Sequence, residues 1–141
     1  MKKLIFLLFS LASLASCSSD DDSGSLTQDL APVLSVILPD SFVKAESYEI
    51  EIIYKRPSSC HHFSGFDISK NVNKIFIGVV NSYHTSSSNC SETGDLQDSV
   101  KLNFVAERDD FYIFNFWKGK NTLGEDEFLT IEVPVSPSGI E

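Results

Sequence analysis

The side chains best suited to metal binding or redox chemistry are concentrated in one short stretch of the chain. Cys60, His61 and His62 are consecutive, and His84 and Cys90 follow them. Imidazole and thiolate are ligands that zinc and copper prefer. Their spacing matches no standard zinc site, and a bond between the two cysteines would remove both thiolates. We therefore predict no metal site, and keep metal handling through His61, His62 and His84 as an alternative.

Acidic side chains offer a second, weaker indication of ion binding. Glu92, Asp95 and Asp98 lie close together, and another acidic cluster follows at residues 125–127. Calcium prefers carboxylate oxygens, but neither cluster has the spacing of a calcium-binding loop, and charged loops are commonly solvated. No cofactor is predicted, with calcium and zinc left open. The chain also lacks Gly-x-Ser-x-Gly and His-Glu-x-x-His, so an enzyme is the least favoured class.

The third cysteine, Cys17, follows a segment with the features of an export signal. Lys2 and Lys3 precede an apolar run at residues 4–14, which leads into Leu14-Ala15-Ser16-Cys17. Such a segment predicts secretion, and it is too short to span a bilayer. The four residues resemble the lipobox of bacterial lipoproteins. The resemblance implies removal of residues 1–16, N-acylation and a thioether-linked lipid on Cys17, which would be the membrane anchor.

The segment after Cys17 is polar and acidic. Residues 18–25 contain only Ser, Asp and Gly, a composition typical of a flexible tether. We place the tether at residues 17–29 and a single domain at residues 30–141. Acidic residues directly after a lipidated cysteine resemble the surface-export signal of Bacteroidota lipoproteins. The resemblance implies a lipid-anchored protein of the outer membrane that is exposed at the cell surface, with the periplasmic face as the alternative.

The overall charge restricts the partners. Twenty acidic residues outnumber eleven basic ones, for a net charge of −9, and removal of the signal would make the balance more negative still. Nucleic acid is excluded as a partner because phosphate binding depends on clustered Lys and Arg. The predicted partners are the membrane, through the lipid, and an unidentified protein or glycan.

With Cys17 assigned to lipid, Cys60 and Cys90 are left as a pair. Export places them in an oxidising compartment, where an even number of cysteines favours a disulfide. Two free thiols or a metal site are the alternatives. Both cysteines lie beside Ser-rich loop sequence, so the predicted bond links loops at the rim of the domain.

Alternation of apolar and polar residues predicts strands throughout the domain. Two segments are apolar on both faces and are typical of central strands in a sheet that another layer covers, residues 74–80 and 111–117. The adjacent Asp109 and Asp110 predict a tight hairpin. The fold predicted is an all-β, antiparallel β-sandwich of about seven strands, with a small β-barrel as the alternative. The strands expected are residues 33–38, 48–55, 62–69, 74–80, 100–106, 111–117 and 128–135.

Strand number and spacing resemble those of immunoglobulin-like and fibronectin-like modules, although Trp117 follows both cysteines instead of lying between them. Extracellular modules of this kind commonly bind through loops. The polar loops here are residues 85–99 and 118–126, which makes the chain a candidate binding or structural module without catalytic activity. The candidate binding residues are Asn89, Asp95, Lys118, Lys120 and Asn121.

Overall fold

The computed structural model describes residues 24–92 and 94–137, and these residues form an all-β structure of nine strands without a helix. Cys17, the predicted signal and residues 18–23 of the tether lie outside the described residues. The strands are β1 (Leu26–Ala31), β2 (Val33–Ile37), β3 (Phe42–Val43), β4 (Ser47–Lys55), β5 (His62–Asn71), β6 (Lys74–His84), β7 (Gln97–Val105), β8 (Phe111–Lys120) and β9 (Asp126–Ser136).

The strands form two sheets, and the larger one is mixed. A three-stranded sheet has the order β2-β4-β7, and a six-stranded sheet has the order β1-β6-β8-β9-β3, with β5 also paired to β6. The six-stranded sheet is curled like a half-barrel. Strands β6 and β8 are parallel, as are β3 and β9, so the prediction of a wholly antiparallel arrangement was wrong. The chain leaves the larger sheet after β6, forms β7 in the smaller one, and returns as β8 in the direction of β6. Such a crossover is what parallel pairing requires.

The predicted hairpin at Asp109 and Asp110 was also wrong, because these residues connect the two sheets. Strand β7 pairs with β4, whereas β8 pairs with β6 and β9. Two backbone amides of the connection, those of Glu107 and Arg108, donate hydrogen bonds to the Tyr112 hydroxyl at 2.9 and 3.0 Å. A polar pair between two strands indicates a reversal of the chain, but it does not indicate which sheet the second strand joins.

All seven predicted strand segments are strands in the structure, and two strands were not predicted. One is the two-residue β3, and the other is β1, which begins at Leu26. The predicted tether boundary at residue 29 therefore falls inside a strand, and the folded domain starts before residue 30. Leu26, Gln28 and Leu30 alternate with Thr27, Asp29 and Ala31. Because both sets mix apolar with polar residues, the alternation did not indicate a strand.

One core joins the two sheets. Phe104 from the smaller sheet lies 5.1 Å, between ring centroids, from Phe114 of the larger sheet. Phe42 packs against both rings at 5.3 and 6.0 Å. The core residues include Ile50, Ile52, Tyr54, Ile75, Ile77, Val79, Phe116 and Val133. Every second residue of β6 and β8 points into this core, so the intervening residues lie on the outer face of the larger sheet.

The predicted disulfide is confirmed. Cys60 and Cys90 are bonded, with 5.4 Å between their Cα atoms. Cys60 lies in the loop before β5 and Cys90 in the loop after β6. The bond therefore closes the chain around the β5–β6 pair, and a hydrogen bond of 2.9 Å from the Ser59 amide to the Ser91 carbonyl supports the same link between the two loops.

Candidate functional site

A groove lies on the larger sheet where the neighbour of β6 changes. Strand β8 pairs with β6 as far as the Ile77–Phe116 position, and β1 pairs with β6 from Val79 onward. Gly78 is the residue of β6 between the two partners. At Pro32 the chain leaves this sheet and continues into β2 of the smaller one. A depression lies over Gly78, where one partner of β6 ends and the other begins.

The groove has a volume of about 270 Å³ and an aromatic lining. Ile77 and Phe116 are buried in the core, so Phe76, Gly78 and Trp117, which alternate with them, lie on the outer face. The residues that line the groove are Leu30, Asp67, Ser69, Phe76, Ile77, Gly78, Trp117, Asp126 and Phe128.

The glycine at position 78 permits the close approach of the neighbouring strand's side chain. A Cβ at this position would lie 2.8 Å from Cδ2 of Leu30, which is shorter than a van der Waals contact. Leu30 therefore lies across the backbone of β6 where any other residue would place a side chain. The groove floor is formed by backbone and by Leu30.

A β-bulge in β8 arranges the end of the groove. Trp117 pairs with Phe128 and Gly119 pairs with Glu127, so Lys118 is an extra residue in β8. Gly119 has a φ of +123°, a conformation that favours glycine. Because the extra residue reverses the alternation, Lys120 shares the outer face with Trp117, where an unbulged strand would turn it inward.

Asp126 fixes the orientation of Trp117. The indole Nε1 donates a hydrogen bond to Asp126 Oδ1 at 2.9 Å, and the Lys120 ammonium contacts the same oxygen at 2.9 Å. The hydrogen bond from Trp117, followed by that from Lys120, lowers the pKa of Asp126 below its ordinary value. The carboxylate is therefore charged at neutral pH, and it holds the indole ring at the edge of the groove.

The other side of the groove combines an aromatic pair with free polar groups. The rings of Phe76 and Phe128 meet edge to face, with 5.6 Å between centroids, and Phe128 is 38% exposed. Asp67 and Ser69 of β5 lie opposite Gly78 and Phe76. No hydrogen bond or ion pair of the Asp67 or Ser69 side chain occurs within the described parts of the chain. These two groups are available to a ligand.

The structure separates the predicted loop residues. Asn89, with a φ of +67°, and Asp95 are exposed in the loop after β6. Lys118 and Lys120 belong to β8 and not to a loop. Lys120 lies beside the groove, because its ammonium contacts Asp126 of the groove lining. The Asn121 side chain is used within its own turn, where its Oδ1 accepts hydrogen bonds from the amides of residues 123 and 125 at 2.9 and 3.0 Å.

The histidines lie on different faces. His61 is buried, contacts the Ser58 hydroxyl at 2.8 Å and Asp29 at 3.4 Å, and packs on the Tyr83 ring. His62 and His84 instead line a shallow depression of about 290 Å³ together with Cys60. Within residues 24–92 and 94–137, no group of three or more metal-ligating side chains converges.

Several side-chain polar atoms of β1, β4 and β6 are buried without a hydrogen-bond partner among the described residues. Asn81, which is fully buried, makes no side-chain hydrogen bond with any of the described residues, and neither does the Tyr54 hydroxyl or Oδ1 of Asp29. Burial, and to a lesser extent the charge of Asp98, raises the pKa of Tyr54, while Arg56 opposes the shift. The Tyr54 hydroxyl therefore remains protonated at neutral pH. Asn81 and Tyr54 are fully buried, and Asn81 lies on the face of β6 opposite to Gly78 and the groove.

Comparison of the chain with protein-family models, with curated proteins and with solved structures found no match in any of the three. In the part of the chain that the structure describes, no helix is long and apolar enough to cross a bilayer.

The groove was not predicted from the sequence, although the sequence contains a signal for it. Phe76 and Trp117 are the residues that make their segments apolar on both faces, and the prediction was that another layer covers these strands. The structure leaves both side chains partly exposed. An apolar residue on the outer face of a central strand is therefore a signal for a candidate groove when no segment of the described residues covers it.

Proposed function

We propose that this protein is a non-catalytic binding module that is anchored to the outer membrane by a lipid on Cys17 and displayed at the cell surface. Its binding site is the groove over Gly78. The observation that supports this proposal most directly is the set of three partly exposed aromatic rings, Trp117, Phe76 and Phe128, beside two polar groups without partners. Ligand sites combine an apolar lining with a few polar groups in this way.

The scaffold suits such a role. We propose that the two sheets, which share one core, act as a sandwich-type support of the kind found in immunoglobulin-like modules. Each aromatic ring of the groove comes from a strand that is paired along its length, namely β6, β8 and β9. A site on paired strands loses little conformational entropy when a ligand binds, because its side chains are already positioned.

A screen of small fragments by NMR tests whether the groove is the preferred binding surface. With the full chain labelled with ¹⁵N, we expect the shifted amides to cluster around residues 76–78 and 117–128. Replacement of Trp117 by Ala should abolish these shifts. Replacement of Phe63, which is 41% exposed but lies outside the groove, should leave them unchanged. Fragment shifts that cluster elsewhere would contradict the assignment of the site.

Membrane attachment is tested at Cys17. The motif Leu14-Ala15-Ser16-Cys17 supports lipidation of the cysteine, so the variant Cys17→Ser should lose the lipid mass and leave the membrane fraction. A Cys17→Ser protein that keeps both the lipid mass and its membrane association would show that another residue is the anchor.

Metal handling is the second candidate, and one observation favours it. His62 and His84 line the same depression beside the disulfide, on adjacent antiparallel strands where diagonal neighbours come within reach of one ion. Titration of the full chain with zinc or copper should then shift the imidazole resonances of His62 and His84, but not those of the buried His61. Equal shifts of all three, or no shifts, would remove this candidate.

A further inference from the structure

We infer that the ligand of the groove is a neutral glycan, held through the face of a pyranose ring on Trp117. This inference rests on the proposed function, since it names the class of ligand for the same site. The groove brings aromatic rings together with a carboxylate and a hydroxyl, from Asp67 and Ser69, that have no protein partner among the described residues.

The arrangement of the groups matches the two surfaces of a sugar. A pyranose has a face of C–H bonds and an edge of hydroxyls. The C–H hydrogens carry partial positive charge, which the negative face of an aromatic ring attracts. A carboxylate accepts hydrogen bonds from two hydroxyls at once. Trp117 supplies the ring, and Asp67, on the opposite side of Gly78, supplies the carboxylate.

Trp117 is preorganised for this contact. Its Nε1 already donates a hydrogen bond to Asp126 at 2.9 Å, and the Lys120 ammonium donates to the same carboxylate oxygen. The indole polar group therefore does not need a partner from the ligand, and the ring cannot rotate freely. A fixed ring binds with a smaller loss of side-chain entropy than a mobile one.

Charge disfavours acidic ligands in the groove, and desolvation disfavours purely apolar ones. Asp67 carries an unpaired negative charge at the groove, and the whole chain has a net charge of −9, so uronic or sialic acids would be repelled. Lys120 neutralises Asp126 beside Trp117, so the unpaired charge of Asp67 would attract a cationic peptide, and this is the competing ligand that the tetralysine titration tests. A purely apolar chain would leave Asp67 desolvated without a hydrogen bond, which is costly.

The size of the groove limits the length of the glycan that it contacts. A volume of about 270 Å³ lies just below the range of roughly 300 to 1,000 Å³ that is usual for ligand sites. It accommodates one sugar ring or a disaccharide, and the groove is open, so that a longer chain could continue beyond it.

The chain contains one tryptophan, so its fluorescence emission reports directly on the groove. We would titrate the full chain with neutral disaccharides of glucose, mannose, xylose and N-acetylglucosamine. Disaccharide concentrations of up to about 10 mM reveal dissociation constants in the millimolar range. Parallel titrations would use digalacturonate and tetralysine, and a glycan array would extend the neutral set. We expect a saturable change of Trp117 emission with at least one neutral glycan and none with digalacturonate.

Variants measured by calorimetry locate the contact. Trp117→Ala and Asp67→Asn should each weaken binding of that glycan by roughly tenfold or more, as for central residues of a binding site. Phe63→Ala, the matched exposed aromatic outside the groove, should leave affinity within twofold. Circular dichroism of each variant would establish that the fold is retained.

The outcomes separate the two proposals. If tetralysine or digalacturonate binds and the neutral glycans do not, with the same dependence on Trp117, the groove is a binding site but the glycan inference is wrong. The inference is also wrong if fragments bind the groove and no glycan does. If neither fragments nor any of these probes affects Trp117, the proposed function fails together with it.

Discussion

Removal of the Cys60–Cys90 disulfide is expected to lower the free energy of unfolding without altering the folded sheets. The perturbation is the double variant Cys60→Ala, Cys90→Ala. In the folded protein the loops that the bond joins are also held by β5–β6 pairing and by the hydrogen bond between the Ser59 amide and the Ser91 carbonyl. The main effect of the bond is therefore on the unfolded chain, whose freedom it restricts.

The magnitude follows from the length of the closed loop. The two cysteines are separated by 30 residues. In the chain-entropy model, closure of a loop of this length lowers the entropy of the unfolded state by about 12 cal/mol/K, which is about 3.6 kcal/mol at 25 °C. Unfolding entropy of about 2.1 cal/mol/K per residue, over a domain of about 115 residues, converts this loss into a Tm decrease of about 15 °C.

The assay is urea unfolding followed by circular dichroism and by Trp117 emission. We expect the double variant to show the wild-type spectrum before unfolding and a lower transition midpoint. Wild-type protein kept in a thiol reductant should show the same midpoint as the variant. Ser88→Ala, an exposed substitution in the same loop, is the control and should change stability by less than about 0.5 kcal/mol.

Two results would refute the reasoning. A loss of less than about 1 kcal/mol would mean that the unfolded chain is already restricted near these residues, contrary to the loop-entropy model. A changed β-sheet spectrum in the variant at low urea would mean that the bond is needed to form the β5–β6 pair, contrary to the independent hydrogen bonding of these strands.

Three further predictions concern the core, one carboxylate and the tether. Phe114→Ala removes a fully buried ring and should cost about 3 to 5 kcal/mol in urea unfolding; a cost below about 1 kcal/mol would contradict its central place in the core. The paired hydrogen bonds from Arg108 lower the pKa of Asp110 to about 2. This pair therefore stabilises the fold above pH 3.8, and its contribution is lost as the pH falls towards 2. The variant Arg108→Lys should raise the pKa of Asp110 in an NMR titration. An unchanged pKa would exclude Arg108 as the cause. Replacing residues 20–22 with Ala should reduce protease accessibility on intact cells if these aspartates direct surface display; equal accessibility would show that they are only a spacer.

The sequence was sufficient for most of the local structure. Alternation over residues 48–55 and 100–106 predicted β4 and β7, because a strand with one buried face imposes a period of two on its side chains. The pairing of Cys60 with Cys90 was also predicted from the sequence, because with Cys17 assigned to lipid in a chain expected to be exported, the two remaining cysteines have one partner each. The export signal and the lipid on Cys17 remain predictions.

The tertiary structure alone decided which strands are neighbours, and this decided the candidate site. The alternation of residues along β7 and β8 is the same whether they form a hairpin or join different sheets, so the sequence did not indicate the crossover that makes β6 and β8 parallel. Trp117 and Asp67 are 50 positions apart in the numbering and meet only because β8 and β5 lie on opposite sides of β6. The bulge at Lys118, which turns Lys120 towards Asp126, likewise depends on how β8 registers with β9. Short-range patterns determine which face of a strand is buried, but strand order and register arise from long-range packing, and the groove is a product of both.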